Sequence, residues 1–251
     1  MEAYGPETYG ERIADVYDER YAGRDPAEEV EKLAALAGEG PVLELGIGTG
    51  RVAIPLAQRL ADRGVAVHGM DASEAMVARM RERPGGDAIP VAIGDMRDVV
   101  APADGYRLVF VAFNTFYCLP DQDAQVECFA NVARRLAPGG RFLIEAFVPD
   151  LTRYDEHDQS TVATAVDIDA VDLDVFRHDP VAQIVKGNHV HISASGTRLL
   201  PVVLRYAYPS ELDLMARLAG LELESRAGGY LGEPFTASSL RHVSVWVKPG
   251  P

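Results

Sequence analysis

Residues 41–51 read PVLELGIGTGR, and the fold class turns on how this stretch is read. Val42 to Leu45 form a short apolar run carrying one carboxylate, Glu44. The run breaks into Gly46, Gly48 and Gly50 before an apolar-periodic segment opens at Val52. This pattern predicts a strand, a tight turn and a helix. Glycines at alternate positions admit positive φ and let the backbone approach a ligand closely, while the helix N-terminus leaves N–H groups free to meet it. The stretch therefore reads as a binding turn.

Two residues bear on which ligand it binds. A dinucleotide fingerprint, G-x-G-x-x-G, needs glycine where Arg51 stands. Glu44 would place a like charge near a pyrophosphate in a partly dry site, whereas it suits a cationic ligand. S-adenosylmethionine has no phosphate and carries a sulfonium and an ammonium. Downstream, VAVHGM at 65–70 predicts a second strand ending at Asp71, placed for the hydroxyls of an adenosine ribose. A nicotinamide-binding fold uses an acid similarly, so Asp71 points to adenosine without separating the two cofactors. A third strand, Ile89 to Ile93, runs into Gly94-Asp95-Met96, where Asp95 can accept the adenine amino group and Ile93 or Met96 can flank the ring.

On ELGIGTG (44–50), GMDAS (69–73), GDM (94–96) and LAPGGRFLIE (136–145), the chain resembles the class I S-adenosylmethionine-dependent methyltransferases. ADVYDERY (14–21), IGDMRD (93–98) and a long β-rich segment after the PGG strand resemble small-molecule enzymes of natural-product pathways. Among those, the likeness is to the N,N-dimethyltransferases of nucleotide-linked amino sugars. The resemblance implies an α/β, Rossmann-like sheet of seven strands in the order 3-2-1-4-5-7-6, with strand 7 antiparallel and a β insertion after strand 5 covering the active site. It implies methyl transfer from S-adenosylmethionine, with S-adenosylhomocysteine as product, to a small-molecule acceptor in antibiotic biosynthesis. The expected cofactor-binding residues are Tyr17, Arg24, Glu44, Gly46, Gly48, Gly50, Asp71, Ala72, Met76, Gly94, Asp95, Met96 and Phe113. Where DNA-amino methyltransferases carry (D/N)PP(Y/F), this chain has FNTF at 113–116, which argues against nucleobase amines.

Composition agrees with a single globular domain over 1–251: 47% hydrophobic and 25% charged residues describe an ordinary folded chain, long enough for one substantial core. With 24 basic against 38 acidic residues, the net charge of -14 disfavours DNA, RNA and anionic membranes as partners. Cys118 and Cys128 form no CxxC or Cys/His cluster and read as free thiols in a reducing compartment. The start MEAYGPETYGE resembles no secretory leader and no run is long enough to span a bilayer, so a cytoplasmic enzyme is expected. A homodimer is left open.

Within the domain, residues 1–37 read as a helical lid region, contributing Tyr17 and Tyr21. Asp25-Pro26-Ala27-Glu28 opens a helix, Ser73 caps another, a third runs from Asp121 to Leu136, and Ser210 to Asp213 reads as a capping box. Residues 161–208 are too long for a bare connection. Alternation in VDIDAVDLDVF, QIVKGNHVHIS and RLLPVVLRYAY predicts three antiparallel strands, taken as the acceptor-binding insertion. His189 and His191 then share one face. Their H-x-H spacing lacks a third ligand, so no metal is expected. Candidate catalytic residues are Asn114, Tyr117, Glu145 and His191, and candidate acceptor-binding residues are Tyr21, Tyr117, His178, Arg198, Arg205 and Tyr206. None is a convincing dedicated base, which tilts the acceptor toward an amine. The alternatives are O- or C-methylation, a nicotinamide-dependent oxidoreductase, or a non-catalytic binding protein of this fold.

Overall fold

The computed structural model describes residues 4–250. Strands follow in chain order as β1 (Val42–Leu45), β2 (Val67–Asp71), β3 (Val91–Ile93), β4 (Tyr106–Val111), β5 (Leu136–Phe147), β6 (Gln159–Val166), β7 (Ala170–Asp179), β8 (Ile184–Ser193), β9 (Gly196–Arg205), β10 (Glu222–Ala227) and β11 (Arg241–Val247). The helices are α1 (Thr8–Ile13), α2 (Tyr17–Arg20), α3 (Ala27–Ala37), α4 (Ala53–Leu60), α5 (Glu74–Glu82), α6 (Gln122–Arg135) and α7 (Pro209–Leu218).

Seven strands form one sheet in the order β10-β11-β5-β4-β1-β2-β3, the order expected for this fold. The β3, β2, β1, β4 and β5 neighbours pair in parallel, and β11 runs antiparallel to both β5 and β10. Every residue of β1 is buried, as a central parallel strand covered on both faces requires. Side chains alternate between two cores. Leu43, Val109, Phe142 and Trp246 face Phe129 and Val132 of α6 and Met215 of α7. Val42, Leu108, Leu143 and Val245 face Leu33 of α3, Leu56 of α4 and Val77 of α5. Among the described residues no helix is long and apolar enough to cross a membrane.

Local chemistry sets several boundaries. Ser73 Oγ accepts from Met76 N–H at 3.2 Å and Asp121 Oδ1 from Ala124 N–H at 2.8 Å, so both cap their helices. Asp25 Oδ1 accepts from Ala27 N–H at 3.0 Å, just ahead of α3. The capping box at Ser210 is not formed: α7 starts one residue earlier, with Pro209 in its first turn and no side-chain cap. Proline's fixed φ and missing N–H suit that position.

The insertion is a second sheet of four antiparallel strands, β6-β7-β8-β9, rather than three. Residues 166–176, read as one strand, contain the reversal between β6 and β7. Asp167 N–H donates to the Ala170 carbonyl, and the Asp167 side chain accepts from Ile168 N–H, so this short acidic segment closes a turn. The insertion also opens earlier than expected, at Gln159. Its β9 contributes Leu200 to a small core with Ile13, Ala14 and Met76, which joins the added sheet to the N-terminal helices and α5.

Candidate active site

The C-terminal ends of β1 to β4 open into a cavity of about 940 Å³ whose opposite wall is the added sheet. This is the edge at which open α/β sheets bind ligands. At the turn after β1, Gly46 and Gly48 have φ of 72° and 56°. A Cβ on Gly46 would fall 2.3 Å from Thr115 Cγ2, so glycine is required for both conformation and close approach. Gly48 N–H donates to Asp71 Oδ2 at 2.7 Å and Ser73 N–H to Asp71 Oδ1 at 2.9 Å, which fixes the carboxylate between the ends of β1 and β2. Burial nevertheless raises the Asp71 pKa, the backbone bonds opposing that shift. Asp95 Oδ1 accepts from Arg97 N–H at 2.8 Å.

Glu44 is 3% exposed, lines the cavity and has no hydrogen-bond partner at Oε2 among the described residues. Burial pushes its carboxyl well up. A buried acid with an orphaned oxygen is costly unless a ligand completes it, and an ammonium would do so. Arg51, in the same wall, is bonded to Glu29 at 3.1 Å. A phosphate here would meet Glu44, Asp71 and Asp95, whereas an amino-acid and adenosine ligand finds acceptors at each strand end. The residues present fit S-adenosylmethionine.

Of the other expected cofactor residues, Tyr17, Ala72, Met76, Gly94, Met96 and Phe113 line the cavity. Gly50 and Arg24 do not. A Cβ on Gly50 would meet Met80 Cγ at 2.7 Å, so this glycine lets α5 pack against the turn. The Arg24 guanidinium lies 3.9 Å over the Phe113 ring, supporting that ring from outside.

The N-terminal helices close one side. Tyr17 packs on Tyr21 with 4.8 Å between ring centroids, Tyr21 stands edge-on to Phe113 at 5.3 Å, and the Tyr9 and Tyr21 hydroxyls are 3.3 Å apart. Asp18 accepts from Thr49 Oγ at 2.6 Å, and Glu11 from Ser73 Oγ at 2.8 Å. The leader is thus tied to the glycine turn and to the start of α5.

Of the expected catalytic and acceptor-binding residues, Asn114, Tyr21 and Tyr206 line the cavity. Asn114 has φ 63°, and its Oδ1 accepts from Phe147 N–H at 2.7 Å. The remaining candidates lie elsewhere. Tyr117 is fully buried, its hydroxyl donating to the Ala207 carbonyl at 2.8 Å. Glu145 accepts from Phe113 N–H at 2.8 Å and from the Tyr230 hydroxyl at 3.1 Å. It thereby holds the Phe113–Asn114 corner, where two successive non-glycine residues have positive φ. His178 sits behind Tyr206, its Nε2 2.8 Å from that hydroxyl. The Arg205 side chain, 4% exposed, is bonded to Gln125 and Glu211, both at 2.6 Å. Arg198 reaches Asp15 at 2.9 Å on the outside.

His191 also falls outside the cavity, whereas His189 and its carboxylate partner Asp174 line it, beside Phe147, Tyr154 and Phe176. The shared face of the two histidines was legible as period two, but which of them meets the cavity depends on how the added sheet is laid over the main one. Among the described residues there is no group of three or more His, Cys, Asp or Glu side chains placed to hold a metal.

This geometry agrees with what the chain is similar to. Residues 42–140 match the family described as "Methyltransferase domain". The CcbJ methyltransferase from Streptomyces caelestis is 42% identical, with a TM-score of 0.89 over 98% of this chain and 100% of that one. The cypemycin N-terminal methyltransferase of a Streptomyces species is 26% identical over 96% of this chain and 97% of its own length. The fold is shared with CalS10, an amino pentose methyltransferase from Micromonospora echinaspora solved with S-adenosylmethionine bound, at 21% identity and a TM-score of 0.68 over 93% of this chain and 96% of that one. With this sheet order, this glycine turn and a full-length relative at that identity, the chain belongs to the class I S-adenosylmethionine-dependent methyltransferases.

Proposed function

We propose that the protein methylates an amine on a small, largely apolar natural-product intermediate. The observation carrying this reading is the acceptor end of the cavity. Phe147, Phe176, Val185, Val202 and Leu204 supply an apolar wall, and Asp174 adds a carboxylate where a cationic amine would arrive. Arg198 and Arg205, the pair expected to hold a nucleotide-sugar diphosphate, are instead engaged by Asp15 and Glu211 outside the cavity. This argues for an acceptor without a diphosphate, and the names of two similar proteins, an N-terminal and an amino pentose methyltransferase, support an amine.

Bound S-adenosylmethionine supplies a methyl group on a sulfonium, which an acceptor heteroatom takes by in-line displacement with S-adenosylhomocysteine as product. Glu44 would hold the ammonium, Asp71 the ribose hydroxyls, and Asp95 with Met96 the adenine. Tyr17, Tyr21 and Phe113 exclude water from the seam between the cofactor and acceptor halves. Asn114 Oδ1 is held by Phe147 N–H, which leaves its amide N–H groups to orient an acceptor. Alignment of two partners in one enclosed cavity can account for most of the rate gain.

The test has two arms. Calorimetry should show binding of S-adenosylmethionine and none of NAD. Release of S-adenosylhomocysteine should then be followed over a panel of small amines and phenols. Turnover confined to phenols would replace the amine by a hydroxyl acceptor, and NAD binding in place of S-adenosylmethionine would overturn the cofactor assignment.

A further inference from the structure

Two histidine–carboxylate pairs stand side by side on the added sheet, Asp174 opposite His189 and Asp172 opposite His191. Their surroundings differ. The His191 side chain is 42% exposed, and Asp172 also meets Arg20 at 3.5 Å; neither lines the cavity. His189 and Asp174 are 21% and 16% exposed and both line it.

The His189 ring is held from two sides. Nδ1 lies 2.5 Å from Asp174 Oδ1, and the Phe176 ring stands edge-on at 5.6 Å. Phe176 fits there because its cross-strand partner is Gly187, where a Cβ would come within 2.6 Å of the Phe176 ring and 2.0 Å of the Val175 carbonyl. An ionised carboxylate only accepts, so Nδ1 carries the proton and Nε2 keeps its lone pair. No hydrogen bond among the described residues is made to Nε2. A base oriented by a second group, in the wall of a cavity, is the arrangement that general-base catalysis needs.

We infer that His189 Nε2 is the proton acceptor in methyl transfer, with Asp174 as its positioning carboxylate. The inference rests on the methyltransferase reading but not on the acceptor being an amine. In the step, the acceptor lone pair forms the new bond to methyl carbon as the S–CH₃ bond breaks, its electron pair going to sulfur. For an amine that arrives as the ammonium, one N–H proton passes to Nε2 before attack and frees that lone pair; a hydroxyl acceptor gives its O–H proton to Nε2 as it attacks; the imidazolium beside Asp174 later releases the proton to water. An amine makes such a base useful, since at a free pKa of about 10 only roughly one molecule in a thousand is unprotonated at neutral pH. The other Asp–His arrangement near the cavity, Asp158 with His178, ends on the Tyr206 hydroxyl, whose pKa is raised by burial. That makes Tyr206 a hydrogen-bonding wall rather than a competing base.

Several charged or titratable groups line the cavity with His189, among them Tyr9 of α1, which packs with Leu200 of β9. Asp174 lies on β7, Tyr206 follows β9, and Tyr154, Asp150 and Arg153 follow β5, while β9 places apolar Leu200 directly opposite. The pH dependence is therefore assigned by substitution. With piperidine and phenol as acceptor probes, His189→Gln should lower kcat about 100-fold. It should also abolish the rising limb of the rate–pH profile, while S-adenosylmethionine affinity by calorimetry stays within about twofold. Asp174→Asn should retain the limb at a displaced pH, and His191→Gln should behave as wild type. In a readout independent of turnover, the His189 Cε1 resonance of ¹³C-histidine-labelled protein should move when piperidine is added to the S-adenosylhomocysteine complex. A His189→Gln enzyme with wild-type kcat and an unchanged limb, or a His189 resonance indifferent to piperidine, would overturn the assignment. Failure of the wild type to bind S-adenosylmethionine would instead reject the methyltransferase reading, whatever His189 does.

Discussion

The two walls of the cavity are built in different ways. The parallel-sheet wall gathers Glu44, Asp71 and Asp95 from three strand ends, each placed by a strand-to-turn junction a few residues long. The added-sheet wall gathers Asp174, His189, Val202 and Tyr206 by antiparallel register across three strands and the residue following them. In the first wall, a side chain's neighbours in sequence determine what it can bind. In the second, its cross-strand partner and the packing of the whole sheet decide whether it meets ligand, solvent or another side chain. The parallel-sheet wall is locally encoded, while on the proposed reading the added-sheet wall would change acceptor specificity by altering register or packing.

The largest effect that would test this division is on stability. Arg205 lies on the added sheet but points into a buried cluster with Gln125 and Glu211. Arg205→Ala would leave Glu211 with only Gln122 and Gln183, and should cost about 3 kcal/mol. For a chain of this size that corresponds to a melting temperature lower by roughly 6 to 12 °C. Burial pushes the Glu211 pKa up, but bonds from Gln183 and Arg205 outweigh it and hold the carboxyl below its ordinary range. A depressed folded pKa contributes stability above the unfolded value of about 4.3, and the contribution is lost as pH falls through the lower folded value. The gap between wild type and Arg205→Ala in thermal unfolding should therefore narrow from pH 7 to about pH 3.5. A variant with normal stability and an altered acceptor KM would return Arg205 to the acceptor site.

An intermediate effect is expected at the parallel wall. Asp71→Ala removes an acceptor fixed by two backbone N–H groups and should weaken S-adenosylmethionine binding by about 1 to 3 kcal/mol. The His189 resonance in the added sheet should be unaffected. Equal affinity of the folded variant and wild type, measured by calorimetry, would remove Asp71 from the ribose role and break the separation of the walls.

The smallest effect is expected from Arg198→Ala, which breaks an exposed pair with Asp15. Such pairs contribute about 0 to 1 kcal/mol, so unfolding should change little and acceptor KM should match wild type. A raised KM for S-adenosylmethionine would show instead that the tie between α1 and β9 helps to close the lid.

The strand-turn-helix at 41–60, the cap at Ser73, the helix opening at Asp121 and the order of the seven strands were legible because each rests on local chemistry or on the connection rules of α/β folds. The errors also have local causes. The acidic turn at Asp167 to Asp169 sits inside an alternating pattern that reads as one strand, and Pro209 displaced Ser210 from the cap position. Glu145 looked catalytic because it ends a strand at the functional edge, whereas it secures the backbone of Phe113. Sequence alone thus determined the fold class, the glycine turn and the placing of three carboxylates at strand ends, since strand length, glycine conformation and residue charge act over a few residues. Only the tertiary structure decided that His189 rather than His191 faces the cavity, and that Arg205 is part of the core. Those outcomes depend on how one sheet lies against another, and that geometry is set by contacts between residues far apart in the chain.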